Sequence, residues 1–181
     1  MTEKKVSLHK YAMRLGTIMG VYWIVKFIFF PLGIRVPFLQ FVFLAMTIAV
    51  PFLGYYFVKM FRNKVLGGFI SFAQAWAFTV LLYAFAGILV AVAHYIYFQY
   101  IDNGFLLEVY NASVQEVKNL GVAGMEGYIE QLEHSLELIS GLTPLQLTFQ
   151  LFNMNLMSGV FLGIITALFV MRKNPDVNAP L

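Results

Sequence analysis

The chain has 181 residues, of which 60% are hydrophobic and 12% are charged, and its formal net charge is +3. Soluble domains carry about 25% charged residues, and here the apolar residues also form long unbroken runs, which is typical of a membrane protein. The absence of cysteine excludes disulfides, thiolate catalysis and cysteine-ligated zinc or iron–sulfur sites. So small a net charge gives no reason to expect a nucleic-acid partner.

Four apolar runs are long enough to cross a bilayer, which takes about 20 helical residues. They cover residues 11–34, 38–60, 69–100 and 147–171. The first is not a signal peptide, because it is too long, Lys26 interrupts it and no small-residue cleavage site follows. The sequence therefore predicts an all-α integral membrane four-helix bundle, with residues 1–181 forming one membrane domain.

Basic residues near the span ends predict the orientation, since lysine and arginine favour the cytoplasmic side. One side carries nine of them, namely Lys4, Lys5, Lys10, Arg14, Lys59, Arg62, Lys64, Arg172 and Lys173. The opposite side carries only Arg35 and Lys118. This asymmetry predicts a multi-pass protein with both termini in the cytoplasm and the lipid bilayer as its first partner.

The segment between spans three and four, residues 102–146, is expected outside the cytoplasm. It contains seven acidic residues and one lysine. Ile129, Leu132, Leu136 and Ile139 recur at steps of three and four, with glutamates on the other face, which predicts an amphipathic helix. A shorter helix is predicted over residues 105–119. The acidic face is either simply solvated or a docking surface for a basic partner or divalent ions.

Small residues recur about once per turn on spans one, three and four, which predicts close helix crossings, because helices in lipid associate through small residues. On span three they are Ala73, Ala77, Ala84, Gly87 and Ala91. Gly16 and Gly20 open span one, while Gly159, Gly163 and Ala167 run along span four. The spacing does not say whether these crossings lie within one chain or between two chains.

Lys26 is a charge inside the first span. It follows Arg14 by twelve residues and precedes Arg35 by nine, roughly 18 Å and 13 Å along a helix. A lysine at a span centre costs about 2.5–3.5 kcal/mol on insertion scales, and no other span holds a carboxylate. The polar residues expected at the same depth are His94, Gln150, Asn153 and Asn155. Asn153 and Asn155 face different ways, because two residues turn a helix by about 200°.

Three interpretations of this polar set remain open. The groups satisfy one another and fix the packing of spans one and four. Alternatively, Lys26 binds an anion from elsewhere, either a lipid phosphate, a lipid-linked phosphate or a carboxylate of another subunit. The third interpretation is a proton or ion pathway, since ionisable residues inside membranes often mark one.

Motifs for nucleotide binding, for an H-E-x-x-H metal site and for a G-x-S-x-G nucleophile are missing from the sequence. His9, His94 and His134 are scattered over different sides and depths, so they do not predict one metal site. We therefore expect no catalytic residue, no metal and no cofactor.

The stretch from Gly67 to Leu106 resembles the core of the domain-of-unknown-function 4199 family. The resembling features are a glycine-containing polar turn, a Ser-Phe-x-Gln-Ala entry to span three, and a span that ends in Tyr-Ile-Tyr-Phe followed by Ile-Asp. The resemblance implies four spans in the inner membrane of a Gram-negative bacterium. It implies no activity, and it suggests genes near those of polyprenyl-phosphate glycosyltransferases.

Taken together, plentiful packing motifs and missing chemistry motifs favour a non-catalytic accessory or scaffold subunit. It would associate through its small-residue helix faces, as a homodimer or beside a membrane enzyme such as a polyprenyl-phosphate glycosyltransferase. The alternative is a small carrier or anionic-lipid-binding protein centred on Lys26, with a lipid-linked phosphate as the ligand.

Overall fold

The computed structural model describes residues 8–121 and 124–173, and these fold into helices. In chain order they are α1 (Leu8–Arg35), α2 (Pro37–Val65), α3 (Phe72–Tyr100), α4 (Phe105–Asn119), α5 (Glu126–Ser140) and α6 (Pro144–Val170). Four of them, α1, α2, α3 and α6, are long and apolar enough to cross a membrane. The predicted all-α membrane bundle, with a small helical cap between spans three and four, is confirmed.

The chain divides into two compact units. The membrane unit comprises Met1–Val90 and Phe152–Leu181, and the cap unit comprises Ala91–Leu151. Long helices pass from one to the other, since α3 and α6 each contain the boundary between them.

Two of the spanning helices begin with the same reciprocal cap. At α3, the backbone N–H of Gln74 donates to Ser71 Oγ and the N–H of Ser71 donates to Gln74 Oε1, both at 3.2 Å. At α6, Thr143 and Gln146 repeat this exchange at 2.8 and 3.3 Å. Each cap satisfies two backbone donors that a helix start leaves open. Hydropathy alone sets the start of α3 at 69, too early, because apolar Phe69 and Ile70 precede the cap. It sets the start of α6 at 147, too late, because Gln146 in its first turn is polar.

One end of the membrane unit is held together by polar contacts. Ile70, before α3, forms an isolated antiparallel bridge with Arg172, just after α6. The guanidinium of Arg62, near the end of α2, donates to the carbonyl of Val170 at 2.9 Å. A cation at a helix C-terminus stabilises the open carbonyls and the negative end of the helix dipole. The last turns of α2 and α6 and the start of α3 are thus tied together.

An aromatic cluster packs the interior of the membrane unit. The rings of Phe61 and Phe78 stack with centres 4.3 Å apart, and Tyr11 lies 5.4 Å from Phe61. These residues come from α1, α2 and α3, so the cluster joins three spanning helices. They are part of a larger core to which all four spans contribute, including Met19, Val58, Leu82, Ala86 and Ala167.

The cap unit has its own small core between α4 and α5. Val114, Ile129 and Leu136 are buried there, and Lys118 and Glu133 form an ion pair of 2.7 Å at its edge. Ile139, which the sequence places on the same apolar stripe, is 46% exposed. An exposed ion pair of this kind contributes at most about 1 kcal/mol, so apolar burial holds the two helices together.

A tight turn leads from α3 into α4. Asn103 and Gly104 take positive φ angles of 47° and 84°, a conformation that asparagine and glycine tolerate best. The buried Asp102 accepts a hydrogen bond from the backbone N–H of Leu106 at 3.3 Å. Asp102 therefore caps the start of α4.

We predict that Gly159→Ala destabilises the membrane unit by about 1–3 kcal/mol, because overpacking a tight interior costs that much. The added Cβ would lie 2.5 Å from Tyr83 Cβ, an atom too close to the backbone to swing aside. Thermal unfolding in nanodiscs measures the effect. Gly127→Ala is the matched control, since nothing lies within 4 Å of its added Cβ in α5, and there a helix gains up to about 1 kcal/mol. Equal melting temperatures for the two variants would contradict the prediction.

Candidate functional site

The small-residue face of α1 lies against α3. A Cβ on Gly16 would lie 2.6 Å from Phe85 Cβ, and one on Gly20 would lie 2.9 Å from Leu89 Cδ2. Both glycines are buried. Their close approach is therefore a crossing within the chain.

The small-residue face of α6 also lies against α3. Gly159 adjoins Tyr83, a Cβ on Gly163 would lie 3.1 Å from Trp76 Cδ1, and Ala167 is fully buried. At the same crossing, the indole N–H of Trp76 donates to the carbonyl of Val160 at 3.2 Å. The faces expected to mediate association are thus both occupied within the chain.

Tyr83 contacts each of the other three spanning helices from the middle of α3. Its Cβ adjoins Gly159 of α6, and its hydroxyl oxygen lies 3.3 Å from where a Cβ on Gly54 of α2 would be. Its ring meets that of Trp23 of α1 nearly edge to face, with centres 5.3 Å apart and an interplanar angle of 75°. The sequence did not single out Tyr83 or Trp23, because an aromatic residue in an apolar run shows no distinguishing pattern.

Both aromatic residues carry a polar atom into the core. Trp23 is 4% exposed and Tyr83 is 1% exposed. Among the residues that the structure describes, neither the indole Nε1 of Trp23 nor the hydroxyl of Tyr83 has a hydrogen-bond partner. Buried polar groups are nearly always hydrogen-bonded, so this pair is chemically incomplete.

Lys26 lies one turn further along α1 and is half-buried. Its ammonium nitrogen is 5.9 Å from the ring centre of Trp23 and 5.5 Å from that of Phe43 on α2. Both distances allow a cation–π attraction, which acts within about 6 Å. No carboxylate lies within 4 Å of this nitrogen in the described part of the chain. The aromatic rings therefore stabilise the charge without neutralising it.

The other polar residues predicted near Lys26 are divided between the two units. Asn153 and Asn155 belong to the membrane unit, where Asn153 is exposed and Asn155 is half-buried against Gly87. His94 and Gln150 belong to the cap unit; His94 is buried with its ring 6.3 Å from that of Phe98, and Gln150 is exposed. That these four residues share one layer with Lys26 stays a prediction.

The acidic face of the cap forms a shallow cavity of about 210 Å³. It is lined by Lys118, Gly121, Glu126, Ile129, Glu130 and Glu133. The amine of Lys118 already binds Glu133 there, so a cation of the chain itself occupies part of the negative field. Within residues 8–121 and 124–173, no three His, Asp or Glu side chains come together as a metal site would need.

Comparison with known proteins gives one match. The model of a family described as "Protein of unknown function (DUF4199)" matches residues 14–172, which is most of the chain. No curated protein and no solved structure matches the chain.

Proposed function

The chain belongs to the DUF4199 family of proteins of unknown function, and from this premise we propose that it is a non-catalytic accessory subunit of a bacterial inner membrane. The observation that carries the proposal is Asn153, a polar side chain on the exposed face of a spanning helix. In a bilayer, an asparagine side chain can hydrogen-bond across helices and so promote their association.

Asn153 lies at a depth where lipid offers no hydrogen bonds. It follows Pro144, the first residue of α6, by nine residues, or about 14 Å at 1.5 Å per residue. With 27 residues, α6 is about 40 Å long and exceeds the hydrocarbon core of about 30 Å. If the helix is centred in the bilayer, Asn153 lies inside the core, roughly 7 Å from its middle. Polar groups there are satisfied by neighbouring protein, and an interhelical hydrogen bond contributes about 0.6–2 kcal/mol.

The outward face of α6 continues with Met157 and Phe161, which are both exposed. The inward face is packed on α3 through Gly159 and Gly163. A partner therefore has this outward face available, and not the small-residue faces that the sequence suggested. A carboxamide both donates and accepts, so Asn153 can pair with Asn153 of a second copy across a two-fold axis.

A second function is favoured by the geometry of Lys26. Its ammonium group is held between two aromatic rings, and the four spanning helices contain no acidic residue. A charge so placed lacks a counter-ion, and a phosphate is a strong charge-assisted acceptor. On this reading the protein binds an anionic lipid, in particular a lipid-linked phosphate, with Lys26 at the centre of the site.

The proposed orientation places both termini in the cytoplasm. It is supported by the nine basic residues that flank the spans on one side against two on the other. Two of the nine are held in place, because the guanidinium of Arg62 donates to the carbonyl of Val170 at the end of α6, and the backbone of Arg172 pairs with that of Ile70 just before α3.

Single cysteines test the orientation, because the chain has no cysteine of its own. We expect Ser135→Cys in the cap to react with a membrane-impermeant maleimide in bacterial cells whose outer membrane has been permeabilised. Asn63→Cys should react only after lysis. Both positions are exposed in the structure. The reverse labelling pattern would contradict the proposed topology.

Oxidative crosslinking tests the α6 face. Asn153→Cys and Met157→Cys should give a covalent dimer in native membranes, whereas Asn155→Cys should not, because that position lies against α3. In addition, Asn153→Leu should weaken dimerisation about three- to thirtyfold, since an interhelical hydrogen bond contributes about 0.6–2 kcal/mol.

A crosslinked product heavier than a dimer would indicate a different membrane protein as the partner. The proposal that this chain is an accessory subunit would then still hold. Failure of positions 153 and 157 to crosslink to anything would refute association through this face.

Lipid-dependent melting tests the second function. We expect nanodiscs containing a polyprenyl phosphate or phosphatidylglycerol to raise the melting temperature relative to phosphatidylcholine alone, since a ligand that binds only the folded state stabilises it. Lys26→Met should abolish the rise and Lys26→Arg should keep it. Lys10→Met, which removes an exposed charge near the start of α1, is the control. An undiminished rise in Lys26→Met would exclude this role.

A further inference from the structure

Two neighbouring aromatic side chains in the interior of the membrane unit each carry a polar atom with no hydrogen-bond partner among the described residues. The atoms are the indole nitrogen of Trp23 and the hydroxyl oxygen of Tyr83, and both are buried. Their rings touch with centres 5.3 Å apart. In a bilayer no bulk water can reach such groups, so their partner has to be part of the folded assembly.

The chemistry of the missing partner follows from the groups around it. An indole N–H only donates, and so does the ammonium group of Lys26 over the Trp23 ring. A tyrosine hydroxyl donates as well as accepts. The site is therefore rich in donors and poor in acceptors.

The chain's own side chains offer no acceptor with a charge at this place. None of the spanning helices contains an aspartate or a glutamate. The half-buried Trp76 shows the contrast, since its indole N–H donates to the carbonyl of Val160. Tyr22 likewise donates to the carbonyl of Met46 at 2.8 Å.

We propose that Trp23 and Tyr83 together bind one acceptor oxygen that the polypeptide does not supply. The oxygen belongs either to a trapped water molecule or to a lipid headgroup drawn in by Lys26. Both sources present the same chemistry, an oxygen whose lone pairs can accept from the indole N–H and from the hydroxyl. This site is independent of the subunit role proposed above, and only its headgroup form coincides with lipid binding at Lys26.

Indole N–H signals in nitrogen-15 NMR spectra of the full chain in nanodiscs test the proposal. The chain has two tryptophans, so the Trp76→Phe variant assigns both signals. We expect the Trp23 proton at a downfield, hydrogen-bonded position like that of Trp76. Tyr83→Phe, which keeps the ring packing, should shift the Trp23 signal. Tyr22→Phe, which removes a hydroxyl elsewhere in the same bundle, should leave it in place.

Varying the lipid composition of the nanodiscs identifies the source of the oxygen. A downfield signal in phosphatidylcholine alone, with magnetisation transfer from water, identifies a trapped water. A downfield shift that appears only after phosphatidylglycerol is added identifies a headgroup.

Two results would overturn the proposal. One is an upfield Trp23 signal in every lipid, as expected if its N–H pointed at the face of the Tyr83 ring. The other is a downfield signal that Tyr83→Phe does not move, which would show that Trp23 and Tyr83 do not bind the same acceptor oxygen.

Discussion

Close packing around Tyr83 is the contact on which the membrane unit depends. Helices in lipid gain nothing from hiding apolar surface, since the surrounding chains are equally apolar, and they associate through intimate van der Waals contact and a few polar bonds. The Tyr83 side chain packs against Gly159 and Gly54, whose missing side chains leave space for it, and its ring also contacts that of Trp23. Because these three residues come from α6, α2 and α1, one side chain on α3 sets the spacing of the whole bundle.

The polar groups of the membrane unit divide into two kinds. Those at the helix ends are fully used, as with Arg62 on the last carbonyl of α6 and Ser71 with Gln74 at the start of α3. Within the spans, Trp76 and Tyr22 donate to backbone carbonyls. Lys26 and Asn153 differ from them, because Lys26 has rings but no counter-ion and Asn153 faces outward. The groups at the helix ends stabilise the fold. The unpaired groups within the spans reduce stability unless a partner outside the chain binds them. The functions proposed here follow from that difference.

Local features of the sequence were sufficient for the fold class, the four spans and the two cap helices, because hydropathy and helical periodicity are properties of consecutive residues. The glycine faces of α1 and α6 could be located in the same way. Their partner could not, since a spacing of four looks the same whether the facing helix belongs to the same chain or to another. The surroundings of Lys26 illustrate the limit: Trp23 is three residues away on the same helix and foreseeable, but Phe43 comes from α2 and depends on how two helices pack. Tyr83 was missed for that reason too.

The two reciprocal caps have a consequence for how the protein responds to its surroundings. Such caps commonly end in glutamate, whose carboxylate can take up a proton or be screened by salt. Here the third position is Gln74 at α3 and Gln146 at α6, and a carboxamide does neither. The caps at the starts of these two spanning helices therefore carry no ionisable group. Their hydrogen bonds do not depend on pH, ionic strength or the voltage across the membrane.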